Sequence, residues 1–244
     1  MKLHNLDCLQ LLNGLADSSV DLILTDPPYN IGFDGGKGWD TVRNYQEWCQ
    51  QWTKECVRVL KPNRMMVVFG TLKDDQFINY KLNTQQQNPE LSPQNEIIWS
   101  YNWGGRSKKN FARKQEYAWC WSKGKDFLFN ADDVRIPRKV SIGEYKHDGT
   151  IPTCVWEKNN HTTSKEYCNW HPTQKPLMIL ERIIKGYTNP GDTVLDIFSG
   201  SASTAIAAVN NNRNFIGSEL STEYYEKSLE RIDKLTEQGT LNGL

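Results

Sequence analysis

The chain has 244 residues, 38% of them hydrophobic, and its 29 basic and 29 acidic side chains cancel to a formal net charge of zero. That length and apolar content suit one sizeable core in a single α/β domain, and neutrality excludes a global basic footprint for polyanions. The longest apolar stretches, such as residues 65–69, are far too short to span a bilayer, and residues 1–5 lead into no signal-peptide apolar region, so a cytoplasmic protein without a membrane partner is expected.

Charge is nonetheless uneven along the chain. Residues 101–146 hold eleven Lys or Arg against five Asp or Glu, whereas residues 219–237 hold six acids against three bases, so a neutral protein can still turn one positive face to phosphates. Cys8, Cys49, Cys56, Cys120, Cys154 and Cys168 are scattered without a CxxC pair, which in the cytosol points to reduced, mostly buried thiols.

In chain order, residues 3–6 suit a short strand ending at Asp7-Cys8, and Leu9, Leu11, Leu12 and Leu15 suit a brief helix that Asp7 would cap. Residues 21–30 organise the rest. Leu22-Ile23-Leu24 is a near-continuous apolar run of the kind buried parallel strands show, and it stops at Asp26-Pro27-Pro28-Tyr29. Two prolines neither donate ladder hydrogen bonds nor continue a helix, so the chain leaves the sheet at Asp26, on the carboxyl edge where open α/β sheets place ligands. Such a loop offers a carboxylate, backbone carbonyls without a competing N–H, and the flat Tyr29 ring. These are acceptors for an amino group and a platform for a planar heterocycle. Residues 30–40, with four glycines and Trp39, read as a mobile flap beside that loop.

The spacing of Trp48, Trp52 and Val59 predicts a helix over 45–60, ended by Lys61-Pro62-Asn63. A buried strand over 65–70, a helix over 74–82 and a polar loop over 85–93 follow. Residues 96–101 and 117–121 suit two strands, an antiparallel pair at the sheet edge. The connector between them holds Arg106, Lys108, Lys109, Arg113 and Lys114 with no acid, interleaved with Trp103 and Phe111. Bases hold phosphates and aromatics stack on exposed nucleobases, so the mixture reads as a nucleic-acid surface, with a solvated charged loop as the alternative. Residues 127–167, which include Arg135, Arg138 and Lys139, show no clear periodicity. Then come a helix over 176–186 begun by a proline, a strand over 193–196, a small-residue helix over 201–210, a strand over 214–219 and an amphipathic helix over 222–236. Helices alternating with apolar strands predict an α/β fold: a doubly wound, mostly parallel sheet with an antiparallel edge strand.

The loop over 196–204 suits a dinucleotide, a phosphate or a methyl donor. Gly200 stands almost alone there and no Gly-Lys-Ser/Thr follows, so neither GxGxxG nor the P-loop is met, and the acidic opening at Asp196 disfavours phosphate. Cytosine-C5 chemistry needs a nucleophilic thiol after a proline, and Cys154 in Pro152-Thr153-Cys154 is one residue out of step. Cys154, His161, Cys168 and His171 are metal-ligand types at spacings unlike zinc patterns, so no metal is expected.

Three strings carry a resemblance. Asp26-Pro27-Pro28-Tyr29, His171-Pro172-Thr173-Gln174-Lys175-Pro176 and Asp196-Ile197-Phe198-Ser199-Gly200-Ser201 resemble the motifs of S-adenosylmethionine-dependent DNA amino-methyltransferases. Their order, catalytic string first and cofactor loop last, resembles the permuted β group, over nearly the whole chain. The resemblance implies a Rossmann-like methyltransferase sheet and S-adenosyl-L-methionine as cofactor. It implies catalytic roles for Asp26, Pro27, Pro28 and Tyr29, with Asp26 and the Pro27 carbonyl accepting the two amino hydrogens and Tyr29 stacking on the base. It implies cofactor contacts from Asp7, Cys8, Asp26, His171, Thr173, Lys175, Asp196, Phe198, Ser199, Gly200, Ser201, Ser203, Thr204, Glu219 and Leu220. Glu219, at the next strand's end, would accept both ribose hydroxyls, while Thr173 and Lys175 would face the methionine end, or Lys175 would merely cap a helix. Ala202 stands where the family usually has glycine.

DNA contacts are expected from Trp39 of the flap, from the connector bases Arg106, Lys108, Lys109, Arg113 and Lys114, and from Arg135, Arg138 and Lys139, which lie where the resemblance implies an embedded target-recognition segment, at about 127–170. Because a base inside a duplex does not reach such a pocket, the target would be flipped out or already single-stranded. Asp before Pro-Pro-Tyr resembles adenine-N6 enzymes more than cytosine-N4 enzymes, and a catalytically silent nucleic-acid-binding subunit is the alternative from another class. A homodimer and a cognate restriction endonuclease are further partners the resemblance implies.

Overall fold

The structure, a computed structural model, describes residues 1–32, 40–72, 87–103, 106–138, 149–158 and 165–241, the last six by backbone. Expectations on the helix over 74–82, the flap residues 33–39 with Trp39, and on Lys139 and His161 lie outside the described residues. In chain order the elements are β1 (Lys2–His4), α1 (Cys8–Asn13), β2 (Val20–Thr25), α2 (Tyr45–Val59), β3 (Leu60–Gly70), β4 (Leu91–Ser100), β5 (Gln115–Lys123), β6 (Val155–Glu157), α3 (Leu177–Tyr187), β7 (Thr193–Asp196), α4 (Ser203–Asn210), β8 (Asn214–Ser218) and α5 (Thr222–Leu241).

The eight strands form one sheet in the order β1-β8-β7-β2-β3-β5-β4-β6. All neighbours are parallel except the pairs that β5 makes with β3 and β4, so the fold is α/β and mostly parallel. β2 is buried at every position, because both faces of the sheet are covered. Leu22 and Leu24 enter a core with Ile179, Ile183 and Ala205 of α3 and α4. Val20 and Ile23 enter the opposite core with Leu12, Trp52 and Cys56 of α1 and α2. Alternation over Leu22, Ile23 and Leu24 thus serves two apolar layers, with Val20 beyond a register shift, which is why the strand reads as a continuous run. Among the described residues no helix is long and apolar enough to cross a membrane.

Several boundaries differ from the sequence expectation. The antiparallel strand β5 lies inside the sheet, because three residues of the aperiodic segment, Val155–Glu157, add β6 alongside β4 as the true edge. β3 starts at Leu60 straight out of α2, since Leu60 pairs with Val20 before a register shift. β4 starts inside the expected polar loop: Leu91, Ser92 and Pro93 pair with Lys123, Ser122 and Trp121, and a register shift between Pro93 and Asn95 accommodates the proline. β1 is shorter than expected because Asp7 caps α1 through Leu9 N–H at 2.8 Å, with Gln10 reciprocating at 3.3 Å.

Candidate active site

The carboxyl ends of β2, β7 and β8 deliver Asp26, Asp196 and Glu219 to one side of the sheet. Because β5 runs the other way, its first residues, Gln115 and Glu116, arrive on that side too. A cleft of about 920 Å³ opens there. Every catalytic and cofactor position inferred from the sequence lines it, together with Glu116 and Tyr101, which were not anticipated.

At one end of the cleft sits a cluster of four ionisable side chains. Tyr29 donates its hydroxyl to Asp26 Oδ1 at 2.7 Å and lies 3.3 Å from Glu116 Oε2. The Lys175 ammonium donates to Asp26 Oδ2 and lies 3.2 Å from Glu116 Oε2. Lys175 also sits 5.5 Å from the centre of the Tyr29 ring and 5.3 Å from that of Phe69. Burial alone would discharge Lys175, but Asp26 and Glu116 outweigh it and hold the ammonium charged above its ordinary range. Burial lifts the Glu116 carboxyl above the usual carboxylate range, with Lys175 opposing. Lys175 therefore neither caps the following helix nor stands apart from the catalytic string, since it is ion-paired to Asp26. The only sequence trace of Glu116 was a lone acid placed directly after the five-base connector.

The loop carrying Asp26 is held from behind. Tyr45 donates to the Pro28 carbonyl at 2.8 Å, and the buried Asp40 accepts Asn30 N–H at 2.7 Å and Ile31 N–H at 3.1 Å. Asn30, at φ +54°, turns the chain through the left-handed region that asparagine tolerates. Asn30 and Ile31 are thus fixed to Asp40.

At the other end, Asp196 accepts the Thr25 hydroxyl at 2.7 Å and Phe198 N–H at 3.1 Å, and burial raises its carboxyl to about 6. Glu219 accepts Gly200 N–H and Ser221 N–H, each at 2.8 Å, and burial raises it to about 6 as well. Gly200 is required on two counts: its φ is +50°, and an added Cβ would lie 2.8 Å from His171 Nε2. Ala202 has φ +58°, so the glycine usual in the resembled family answers a backbone demand that alanine meets at a cost of about 1–2 kcal/mol. The serines are tied into the loop itself. Ser201 and Ser203 hydroxyls lie 3.1 Å apart, and the buried Arg231 of α5 donates to the Ser201 carbonyl, to Ser203 Oγ at 3.1 Å and to the Glu166 carbonyl at 2.8 Å. Phe198 packs on Trp48 and Trp52 with ring centres 5.4 and 5.6 Å away. Gln174 braces the approach, accepting Cys168 N–H at 2.8 Å and donating to the Glu166 carbonyl at 2.7 Å.

Between β4 and β5 the connector closes on itself through Tyr101 N–H to the Lys114 carbonyl at 3.0 Å and Lys114 Nζ to the Asn102 carbonyl at 2.8 Å. Arg106, Lys108 and Lys109 are exposed at its tip with Phe111, which is 96% exposed. Arg113 donates to the Leu72 carbonyl and lines the cleft. Trp103 stacks on Tyr101 with ring centres 4.7 Å apart, so an aromatic column climbs from buried Trp99 to the surface beside the cleft. Arg135 is held differently from the connector bases. It pairs with Asp132 at 2.7 Å, just after Asn130 hydrogen bonds to Lys185 and Thr188 at the far end of α3, on the side of the sheet away from the cleft. Arg138 is half-buried.

Cys8 lines the cleft, but burial pushes its thiol up to about 12, so it is no thiolate nucleophile. Cys154 is the exposed cysteine and the other five are buried. Among the described residues no three His, Cys, Asp or Glu side chains group as metal ligands.

Comparison with known proteins adds identity to this geometry. A family model described as DNA methylase matches residues 20–230. The chain is 35% identical over 234 residues to the type II methyltransferase M.HpaI of Haemophilus parainfluenzae, covering 93% of this chain and 72% of that one. It is 34% identical over 245 residues to the DNA adenine methyltransferase YhdJ of Escherichia coli (strain K12), covering 93% and 81%. Among solved structures it resembles the M1.HpyAVI–SAM complex at 27% identity and a TM-score of 0.66, covering 95% of this chain and 98% of that one.

Proposed function

Since the chain belongs to the DNA methylase family, we propose that it is a DNA adenine methyltransferase, moving the methyl group of S-adenosyl-L-methionine to the exocyclic N6 of adenine in DNA. The observation that carries this is one cleft lined both by the Asp26 carboxylate and by the buried Asp196 and half-buried Glu219. The residues fit the cofactor. Gly200 N–H, which in a phosphate loop would face a ligand, donates to Glu219, and two acids suit hydroxyls and a cationic amino acid end rather than a phosphate. When bound, S-adenosyl-L-methionine supplies an electrophilic methyl group on a sulfonium.

The rest falls to the protein. An adenine amino group is a poor nucleophile because its lone pair is delocalised into the ring. Asp26 and the Pro27 carbonyl accept its two hydrogens and turn the lone pair out of plane, while the Pro28 carbonyl stays engaged by Tyr45. Tyr29, with Tyr101 and Trp103 at the mouth, offers ring faces to a base flipped from the duplex or taken from a single strand. We also infer a single cytoplasmic catalytic domain with recognition residues within about 127–170, self-association because that segment is short, and a cognate restriction endonuclease. The primary test is transfer of a labelled methyl group to DNA followed by nucleoside analysis. N6-methyladenine is expected, and N4-methylcytosine or an unlabelled product would overturn the assignment.

Two more results are expected. Arg106, Lys108 and Lys109 changed together to Ala should weaken DNA binding across sequences and reduce the slope of log K against log salt by roughly 2–3, at about 0.9 per phosphate contact. An unchanged slope would remove phosphates from their role. The second concerns pH. Asp196 and Glu219 both titrate at about 6, so cofactor affinity should fall as pH drops from 7 to 5 and they lose the charge that receives the ligand. For the cofactor-free fold the sign is opposite: carboxyls raised above their unfolded values add stability that is full below the ordinary carboxylate range and lost as pH rises through about 6. Calorimetry across that range checks the binding limb, which Glu219→Gln should make shallower while Asp196 still titrates. A pH-independent wild-type affinity would contradict it.

A further inference from the structure

Glu116 belongs to none of the three motif strings, yet it touches both groups that touch Asp26. The Tyr29 hydroxyl and the Lys175 ammonium engage the two oxygens of Asp26, one each. Those same two donors lie 3.3 and 3.2 Å from a single oxygen, Glu116 Oε2. An amino group arriving at Asp26 meets two donors that draw on the carboxylate's charge and crowd its approach, and a buried ammonium does not give up a carboxylate without another to take its place. Resting on the assignment of Asp26 to the target amino group, we propose that Glu116 is a positioning residue that takes over Lys175 and Tyr29 when the base enters, clearing Asp26 for the amino hydrogens.

The geometry makes the exchange short. Both donors are already within hydrogen-bonding or ion-pairing distance of Glu116, so each changes partner by a small rotation rather than by crossing the cleft. No bond is made or broken, and no proton need leave Lys175, whose ammonium stays paired throughout. The strand order explains how an acid comes to be there. Because β5 is antiparallel inside the sheet, its first residues face the same cleft as the ends of β2 and β7. Glu116 therefore approaches Asp26 from across β3. In the resting site Lys175 also shields two neighbouring carboxylates from each other. Moving it toward Glu116 concentrates negative charge on Asp26 just when an N–H donor arrives to receive it.

The test compares Glu116→Gln, which keeps shape but not charge, with Glu116→Asp, which keeps charge on a shorter arm. Single-turnover methyl transfer should slow about 10- to 100-fold in Glu116→Gln, the range of a hydrogen bond to a charged group, with Glu116→Asp between it and the wild type. Cofactor affinity by calorimetry should remain within about twofold in both. Wild-type transfer in Glu116→Gln would overturn the proposal. So would a parallel loss of transfer and cofactor affinity, which would mark Glu116 as a structural residue. Should Glu116→Gln not fold, the wild-type enzyme decides the matter: in a crystal structure with cofactor product and target DNA, Lys175 Nζ should lie nearer Glu116 than Asp26, and Lys175 still on Asp26 would overturn the exchange. If Asp26→Ala itself retained activity, the underlying assignment of Asp26 would fall instead, a result these measurements keep separate.

Discussion

Asp26→Ala should reduce single-turnover methyl transfer by about 10³-fold or more while leaving S-adenosyl-L-methionine affinity within about twofold. In the proposed mechanism the carboxylate is the acceptor that turns the amino lone pair toward the methyl group, and water in its place would not be pre-oriented. The structure adds a second consequence, because Lys175 pairs with both Asp26 and Glu116. Removing Asp26 leaves the ammonium with Glu116 alone, so Asp26→Asn, which keeps the shape and one acceptor oxygen, is the cleaner probe of chemistry. Tyr29→Phe should be milder than Tyr29→Ala, since the ring face outlasts the loss of its hydroxyl bond to Asp26. Calorimetry beside single-turnover transfer reads binding and chemistry on each variant. Were Asp26→Ala to lose cofactor affinity in proportion to its activity, Asp26 would be a cofactor or structural residue and the mechanism would be wrong.

Glu219→Ala should fail at the opposite end of the cleft, weakening cofactor binding by tenfold or more, or about 1.5–3 kcal/mol for hydrogen bonds to a charged group. Its carboxylate has two duties. One lone pair on each oxygen already accepts Gly200 or Ser221 N–H, and in the proposed site the remaining lone pairs receive the ribose hydroxyls. Alanine removes both duties and leaves two backbone donors in the cofactor loop without their partner. Glu219→Gln separates them, because its single carbonyl oxygen keeps only one of the two loop bonds. Its affinity should fall between wild type and Glu219→Ala, with transfer at saturating cofactor near normal. Unchanged cofactor affinity in Glu219→Ala would break the link between this acid and the ribose.

What could be read from the sequence, and what could not, follows the range of the interactions. Asp26, Asp196 and Glu219 each end an apolar run that the chain must leave, so local pattern places them at a sheet edge, and parallel strands put those edges together. Gly200 was legible as the glycine of a ligand loop, and its close approach to His171 shows why a side chain is excluded there. Glu116 was not legible. It joins Asp26 only because β5 inverts inside the sheet, and a single acid between a basic connector and an apolar strand carries no sign of that. The same holds for Lys175 and Asp26, 149 residues apart. The true edge strand escaped because three residues, with only Trp156 buried, leave no periodicity to detect. Composition groups Arg135 with the connector bases, and only the structure shows its ion pair with Asp132 beside the hydrogen bonds that Asn130 makes to α3.

The pairing of β1 with β8 sets a timetable for the molecule. Lys2, Leu3 and His4 meet Ile216, Gly217 and Ser218, and Asn5 bonds the Glu219 carbonyl at 2.8 Å. During synthesis, Asp26 emerges long before Asp196, a gap of roughly 10–35 s at about 5–20 residues per second. Until β7 arrives, β2 has its β3 neighbour but an open flank on the other side, and β1 waits with nothing to join. Sheet closure is therefore a late event that depends on contacts of very long sequence separation, the kind that slows folding and leaves unpaired strand edges exposed meanwhile. Pairing of β2 with β7 brings the loops after them together, and residue 231, later still, ties down the second through the Ser201 carbonyl, so a nascent chain passes most of its synthesis with the 26–29 string made and the 196–204 loop absent.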